Sequence, residues 1–177
     1  ILQDAGRHAD AAEILSQGLS AWSDDDTMLY ARALAYVMSD QLDYALTDFR
    51  LLLSRQPDSA QVLNAYGYTL ADRTDRLEEA HDYIRRALAQ EPDDPAILDS
   101  MGWVLFKQGD AKAALPYLER AFAGSPDPEI AAHLGEVLHV LDRKEEAREV
   151  WGKALKDPSP HPVLDATVRR LAPELLD

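Results

Sequence analysis

The sequence predicts an all-α protein built as a solenoid of stacked antiparallel helix pairs. Three observations carry this reading. The chain holds 27 Ala and 26 Leu among 177 residues, no β-branched runs, and thirteen aromatics scattered singly, a composition that favours helix over strand. A small residue recurs at Ala11, Ala45, Ala80, Ala114 and Ala147, at spacings of 34, 35, 34 and 33, each opening the same order of small and large apolar positions. Segments rich in Pro and Asp fall between these stretches, where one helix must end and another begin.

The elements follow in order. His8 to Leu19 reads as the second helix of a unit, with Ile1 to Asp4 as the tail of its first helix, so residues 1–25 form a partial repeat. Residue 1 then falls inside a repeat, which predicts missing upstream units and an apolar face left uncovered on Ala11 to Leu19. Asp26 to Ser59 is a complete unit, with Ala33 where its two helices cross, a turn at Asp40 and a second helix over Leu42 to Leu53. Ala60 to Asp94 follows, with Gly67 at the crossing and Leu77 to Leu88 as second helix; one extra residue between Asp72 and Leu77 explains the spacing of 35. Pro95 to Asp127 has Gly102 at the crossing, a Gln108-Gly109-Asp110 turn and a second helix over Ala111 to Phe122, which Pro116 is expected to bend by removing a backbone bond. Pro128 to Pro160 repeats the plan with Gly135, a turn at Asp142 and Lys144 to Leu155. His161 to Leu171 reads as a helix capping the last apolar face, within a closing segment 161–177.

Local chemistry supports each boundary. Only Gly or Ala lets two helix backbones approach closely, and Gly109, Asp40 and Asp142 tolerate the left-handed conformation that ends a helix in a tight turn. Gln56-Pro57-Asp58, Glu91-Pro92-Asp93-Asp94-Pro95 and Ser125-Pro126-Asp127-Pro128 are expected to stop one helix with proline and cap the next with aspartate. Glu78-Glu79 and Glu145-Glu146 sit at the starts of second helices, where they suit the helix dipole. Trp22 and Trp151 fall on second-helix stripes and read as packing residues.

Charge and composition narrow the function. The formal net charge is −14, and no Lys/Arg stripe offsets it, so nucleic acid is not expected as a partner and anionic membrane surfaces are disfavoured. Apolar runs such as Leu51 to Leu53 are too short to span a bilayer. Without cysteine there is no disulfide framework and no thiolate ligand or nucleophile. The chain has no nucleophile elbow and no phosphate-cradling loop, and Gly152-Lys153 lacks the rest of a P-loop, so the sequence reads as non-enzymatic and free of cofactors. His133, Glu136 and His139 lie at three-residue intervals on one helix, but nearly two turns separate the histidines, and a solvated or capping role is expected rather than metal ligation. His8, His81 and His161 look isolated.

The period near 34 residues, with Leu98, Gly102, Leu105, Ala114, Leu118, Ala121 and Pro126 in order, resembles the tetratricopeptide repeat (TPR) signature, which implies a right-handed superhelix. Two features depart from that signature: Ala33 stands for Gly at the first crossing, and Ser159 lies between two prolines. The strings Leu63 to Arg73, Ala96 to Asp110 and Glu129 to Leu138 are similar to the final repeats of proteobacterial TPR outer-membrane lipoproteins. That resemblance implies a periplasmic adaptor for a carboxyl-terminal processing protease, anchored through a missing N-terminal segment, while the residues themselves leave a cytoplasmic location open. The alternative is an assembly factor for an envelope secretion or polysaccharide-export complex.

TPR arrays bind proteins or peptides on the concave face built by their first helices. The side chains expected there are Tyr30, Leu34, Val37, Met38, Asn64, Tyr68, Asp72, Asp99, Trp103, Phe106, Lys107, Glu136 and His139. Tyr68, Trp103 and Phe106 offer large rigid contact area, and Asn64 and Asp99 are expected to hydrogen-bond a peptide backbone. Asp72, Asp99 and Glu136 outnumber Lys107, which argues against a clamp for an acidic tail. Self-association through the uncovered first helix is a further expectation.

Overall fold

The computed structural model describes residues 7–157 and 159–176. Ten α-helices and no strand occur among them: α1 (His8–Ala21), α2 (Asp26–Met38), α3 (Leu42–Arg55), α4 (Ala60–Arg73), α5 (Leu77–Gln90), α6 (Pro95–Lys107), α7 (Ala111–Gly124), α8 (Pro128–Val140), α9 (Lys144–Ala154) and α10 (Pro162–Leu171). A short 3₁₀ turn follows at Pro173–Leu175. The expected tail of a helix over Ile1 to Asp4 lies outside the described residues.

From α1 to α9 consecutive helices pack as antiparallel neighbours, and α4 touches α6 as α6 touches α8, so first helices line one side of the stack. α10 docks on α8 and covers the end of the array, as a capping helix should. The crossings explain the small-residue ruler. A Cβ on Gly67 would stand 2.7 Å from Ile84 Cγ1 and 3.0 Å from the Ala80 carbonyl oxygen. On Gly102 it would collide with Leu118, and on Gly135 with the Trp151 indole. Ala33, at the equivalent place on α2, is wholly buried.

Two large clusters make the core. Leu29, Phe49, Leu63, Tyr66, Leu70 and Ile84 belong to the first; Leu118, Trp151, Leu164 and Val168 belong to the second, with Leu105 packed against both. An aromatic ladder runs through the first, Tyr30 to Phe49 at 6.1 Å, Phe49 to Tyr66 at 6.0 Å and Tyr66 to Tyr83 at 4.8 Å between ring centroids. Such tilted and edge-on pairs add to what area burial alone supplies.

The turns within units use a left-handed residue three times, Asp40 and Asp142 at φ 61° and Gly109 at φ 90°. The turn after α4 differs. Thr74 there takes an extended backbone, its hydroxyl donates to the Leu70 carbonyl at 2.6 Å and accepts from the Arg76 amide at 3.1 Å. The extra residue noted between Asp72 and Leu77 lengthens α4 to 14 residues, against 13 in α2, α6 and α8.

Three sequence expectations change. Ser59, not Asp58, caps α4, through its hydroxyl and the Val62 amide, while Asp25, Asp94, Asp110 and Asp127 cap their helices as carboxylates. α7 is continuous through Pro116, with Ala114, Leu118 and Ala121 wholly buried. Trp151 is fully buried, but Trp22 sits just past the end of α1 and is 63% exposed, because the helix stops before its stripe would carry it inward. His161 is not isolated, since its Nε2 lies 3.5 Å from the Asp157 carboxylate.

Candidate functional site

The first helices enclose a groove. A cavity of about 700 Å³ opens between α2, α4, α6 and α8, walled by Tyr30, Asn64, Tyr68, Asp99, Ser100 and Glu129 among others. Each side chain arrives there by its place on a first helix, which points one face toward the opening and the other toward its second helix.

Hydrogen bonds tie the groove across units. The Tyr68 hydroxyl donates to Glu129 Oε1 at 2.6 Å, joining α4 to α8 over 61 residues of chain. Burial first, and then the Glu129 carboxylate, push the phenol's pKa far up, so this hydroxyl stays a donor at any working pH. Beneath it, His133 Nδ1 lies 3.0 Å from both carboxylate oxygens of Asp99. The imidazole is stacked on Trp103, with 4.1 Å between centroids and 19° between planes. Burial alone pushes the pKa of His133 down; the Asp99 charge and hydrogen bond, with Glu129 and Asp72 behind them, outweigh it and leave the net direction upward. The pair is therefore a charged His–Asp bridge below that raised pKa.

This geometry corrects two expectations. His133 is neither solvated nor capping: it is buried, because its partner stands on the neighbouring unit's α6 rather than along its own helix. Asp99 is only 6% exposed and spends both oxygens on His133, so it does not reach out to a peptide backbone as expected.

The other expected groove residues divide. Tyr30, Asn64, Tyr68 and Asp99 meet at the cavity, and Asn64 Oδ1 is buried there without a hydrogen-bond partner. Trp103, Phe106 and Lys107 form a second group at the end of α6, with ring centroids 5.5 Å apart and Lys107 Nζ 5.8 Å from the Trp103 ring. Trp103 Nε1 is likewise buried and unpaired. Leu34 and Met38 are exposed further along α2, and Val37 packs into the first core cluster. Asp72 is exposed at the end of α4. Glu136 accepts from Arg170 of α10 at 2.7 Å, and His139 lies 6.2 Å from Trp151 between centroids, so neither joins the cavity.

Several cavity residues escape sequence reasoning. Gln61, Ala96 and Glu129 each occupy the second position of a first helix, and Glu91, Asp94 and Asp127 belong to the junctions between units. A signal for the first three is present: they recur at spacings of 35 and 33, the same ruler that marks the alanines.

The tetratricopeptide repeat model matches residues 2–158, and the chain belongs to that family. A TPR repeat-containing protein of Pseudomonas aeruginosa is 41% identical over 126 residues; the match takes in 71% of this chain but only 21% of that relative. Among solved structures, a thermophilic TPR protein of Thermus thermophilus superposes with a TM-score of 0.83 at 24% identity, covering 99% of this chain and 94% of that one. PilW, described as a widely conserved type IV pilus biogenesis factor, gives 0.79 at 23% identity, covering 99% and 81%. These likenesses establish the helical repeat fold, and TPR proteins act as protein-binding scaffolds that are typically non-enzymatic. No described helix is long and apolar enough to cross a membrane.

Proposed function

We propose that this array holds a segment of a partner protein in the groove between α2, α4, α6 and α8, and that the partner is a carboxyl-terminal processing protease or one of its substrates, met in the periplasm. The observation that carries the reading is the cavity itself: a concave site, spanning several units, with aromatic rings at Tyr30 and Tyr68 and a buried, unpaired Asn64 oxygen. Trp103, Phe106 and Lys107 extend the surface along α6, and the repeats run 26–59, 60–94, 95–127 and 128–160. The wording of Leu63 to Arg73, Ala96 to Asp110 and Glu129 to Leu138, and the 41% identity to the Pseudomonas protein, support the adaptor role. The scaffold stays rigid through its stacked helices, so binding orders the partner and little else.

Titration of a purified processing protease into the chain tests this. Binding should be saturable, should raise turnover of a protein substrate, and should weaken by about 1–3 kcal/mol on Tyr68→Ala. Wild-type affinity in a folded Tyr68→Ala protein would sink the groove. Recovery from native extract of structural envelope subunits alone, without the protease, would favour the assembly-factor alternative.

A further inference from the structure

The groove is one-sided in charge. Glu91, Asp94, Asp99, Asp127 and Glu129 line it, and no Lys or Arg does. Among the described residues, only Asp99 of these five meets a cationic partner, His133. Glu129 uses Oε1 for the Tyr68 hydroxyl, and Asp94 and Asp127 use Oδ1 for the amides of Ile97 and Glu129. Their second oxygens, and both oxygens of Glu91, carry no hydrogen bond or ion pair among the described residues. Asn64 adds one more acceptor, a buried carbonyl oxygen with no donor. The groove thus holds acceptors and negative charge in excess.

We propose that this groove recognises a cationic side chain, Lys or Arg, carried by an extended segment of the partner. The inference rests on the scaffold reading and names the chemistry of the partner's anchor. A cavity of about 700 Å³ is ample for one long side chain with its flanking backbone. Ile97, Ile130 and Ala65 supply apolar wall for the methylenes of such a side chain, and Tyr30 and Tyr68 supply ring faces that attract a cation. The spare carboxylate oxygens and Asn64 Oδ1 accept its N–H groups as charge-assisted hydrogen bonds. A bare metal ion fits less well, since no three His, Asp or Glu side chains among the described residues stand close enough to hold one. An acidic segment would meet like charge without a compensating cation.

Selection of a random dodecapeptide phage library on the immobilised chain, followed by fluorescence polarisation of the synthesised binders, tests the inference. Groove binders are those whose binding is lost on Tyr68→Ala. They should be enriched in Lys or Arg, should bind about tenfold more weakly when that residue becomes norleucine or citrulline, and should lose a similar factor on Glu91→Gln with Glu129→Gln. Glu91 and Glu129 are both exposed, and glutamine at 129 still accepts from Tyr68, so the double variant should melt like the wild type. Groove binders that lack a cation, or that bind the double variant with unchanged affinity, would overturn the inference and leave the scaffold standing. A library yielding no peptide displaced by Tyr68→Ala would count against both.

Discussion

Replacing Gly135 by alanine isolates what a helix crossing demands. In an open helix the change should stabilise by about 1 kcal/mol, because alanine loses less backbone freedom on folding. At this crossing the added methyl would lie inside the Trp151 indole, 2.7 Å from Cδ1 and nearer still to Nε1 and Cε2. Trp151 is wholly buried and is the largest such side chain, so the ring has no space to retreat. Overpacking of this kind costs about 1–3 kcal/mol, and a rigid indole places the cost at the upper end. Setting about 3 kcal/mol of crowding against the helix gain leaves a net loss of about 2 kcal/mol. In a chain of this size that lowers the melting temperature by about 4–8 °C. Gly152, with nothing within 4 Å of its virtual Cβ, is the matched control: Gly152→Ala should stabilise by about 1 kcal/mol. Urea melts of both variants, and of Gly135→Ala in a Trp151→Leu background where the penalty should largely vanish, give the test. A Gly135→Ala protein as stable as Gly152→Ala would refute the crossing argument.

Three further outcomes follow from named contacts. Arg32 donates to both Asp48 oxygens at 2.8 Å, and Asp48 is 5% exposed, so Arg32→Met should cost about 3 kcal/mol in chemical denaturation by stranding a buried carboxylate, whereas Arg32→Met with Asp48→Leu should recover most of it. Asp94→Ala should cost about 1 kcal/mol through the lost cap on Ile97, read in the same assay. The raised pKa of His133 makes its bridge to Asp99 fully stabilising below about pH 6.5, the ordinary imidazole value, and progressively lost as pH climbs through the folded value. The stability gap between wild type and Asp99→Asn should therefore be widest below about pH 6.5 and narrow as pH rises above it, and a gap that stayed flat would show that the pair carries no protonation-linked stability.

What is legible in the sequence is whatever recurs in phase. Gly67, Gly102 and Gly135 stand out because each crossing leaves no room for a Cβ, and the caps at Asp94 and Asp127 because a helix start asks for the same acceptor every time. What stays hidden lies between helices, within a unit or across units. Arg32 and Asp48 are 16 residues apart, Asp99 and His133 are 34, Tyr68 and Glu129 are 61, and in every case each partner alone reads as one more polar residue on a helix. Along its own helix His133 invites comparison with Glu136 and His139, while the residues that define it stand on α6. Trp22 misleads for a related reason: the apolar stripe projects one residue past the point where α1 ends.

Asp94 and Asp127 hold two posts at once, since each caps a helix and each lines the groove. Asparagine or serine at either position would keep the acceptor while removing the charge, as Ser59 does for α4, whereas an apolar residue there would loosen the start of α6 or α8 as well. Glu91 caps no helix through its side chain and makes no side-chain hydrogen bond among the described residues, so its charge can change at no local structural cost, whereas Glu129 also holds the Tyr68 hydroxyl. At these two helix starts the architecture fixes where an acceptor must stand and leaves its charge open to change, so the sign of the opening can be retuned while its frame is kept.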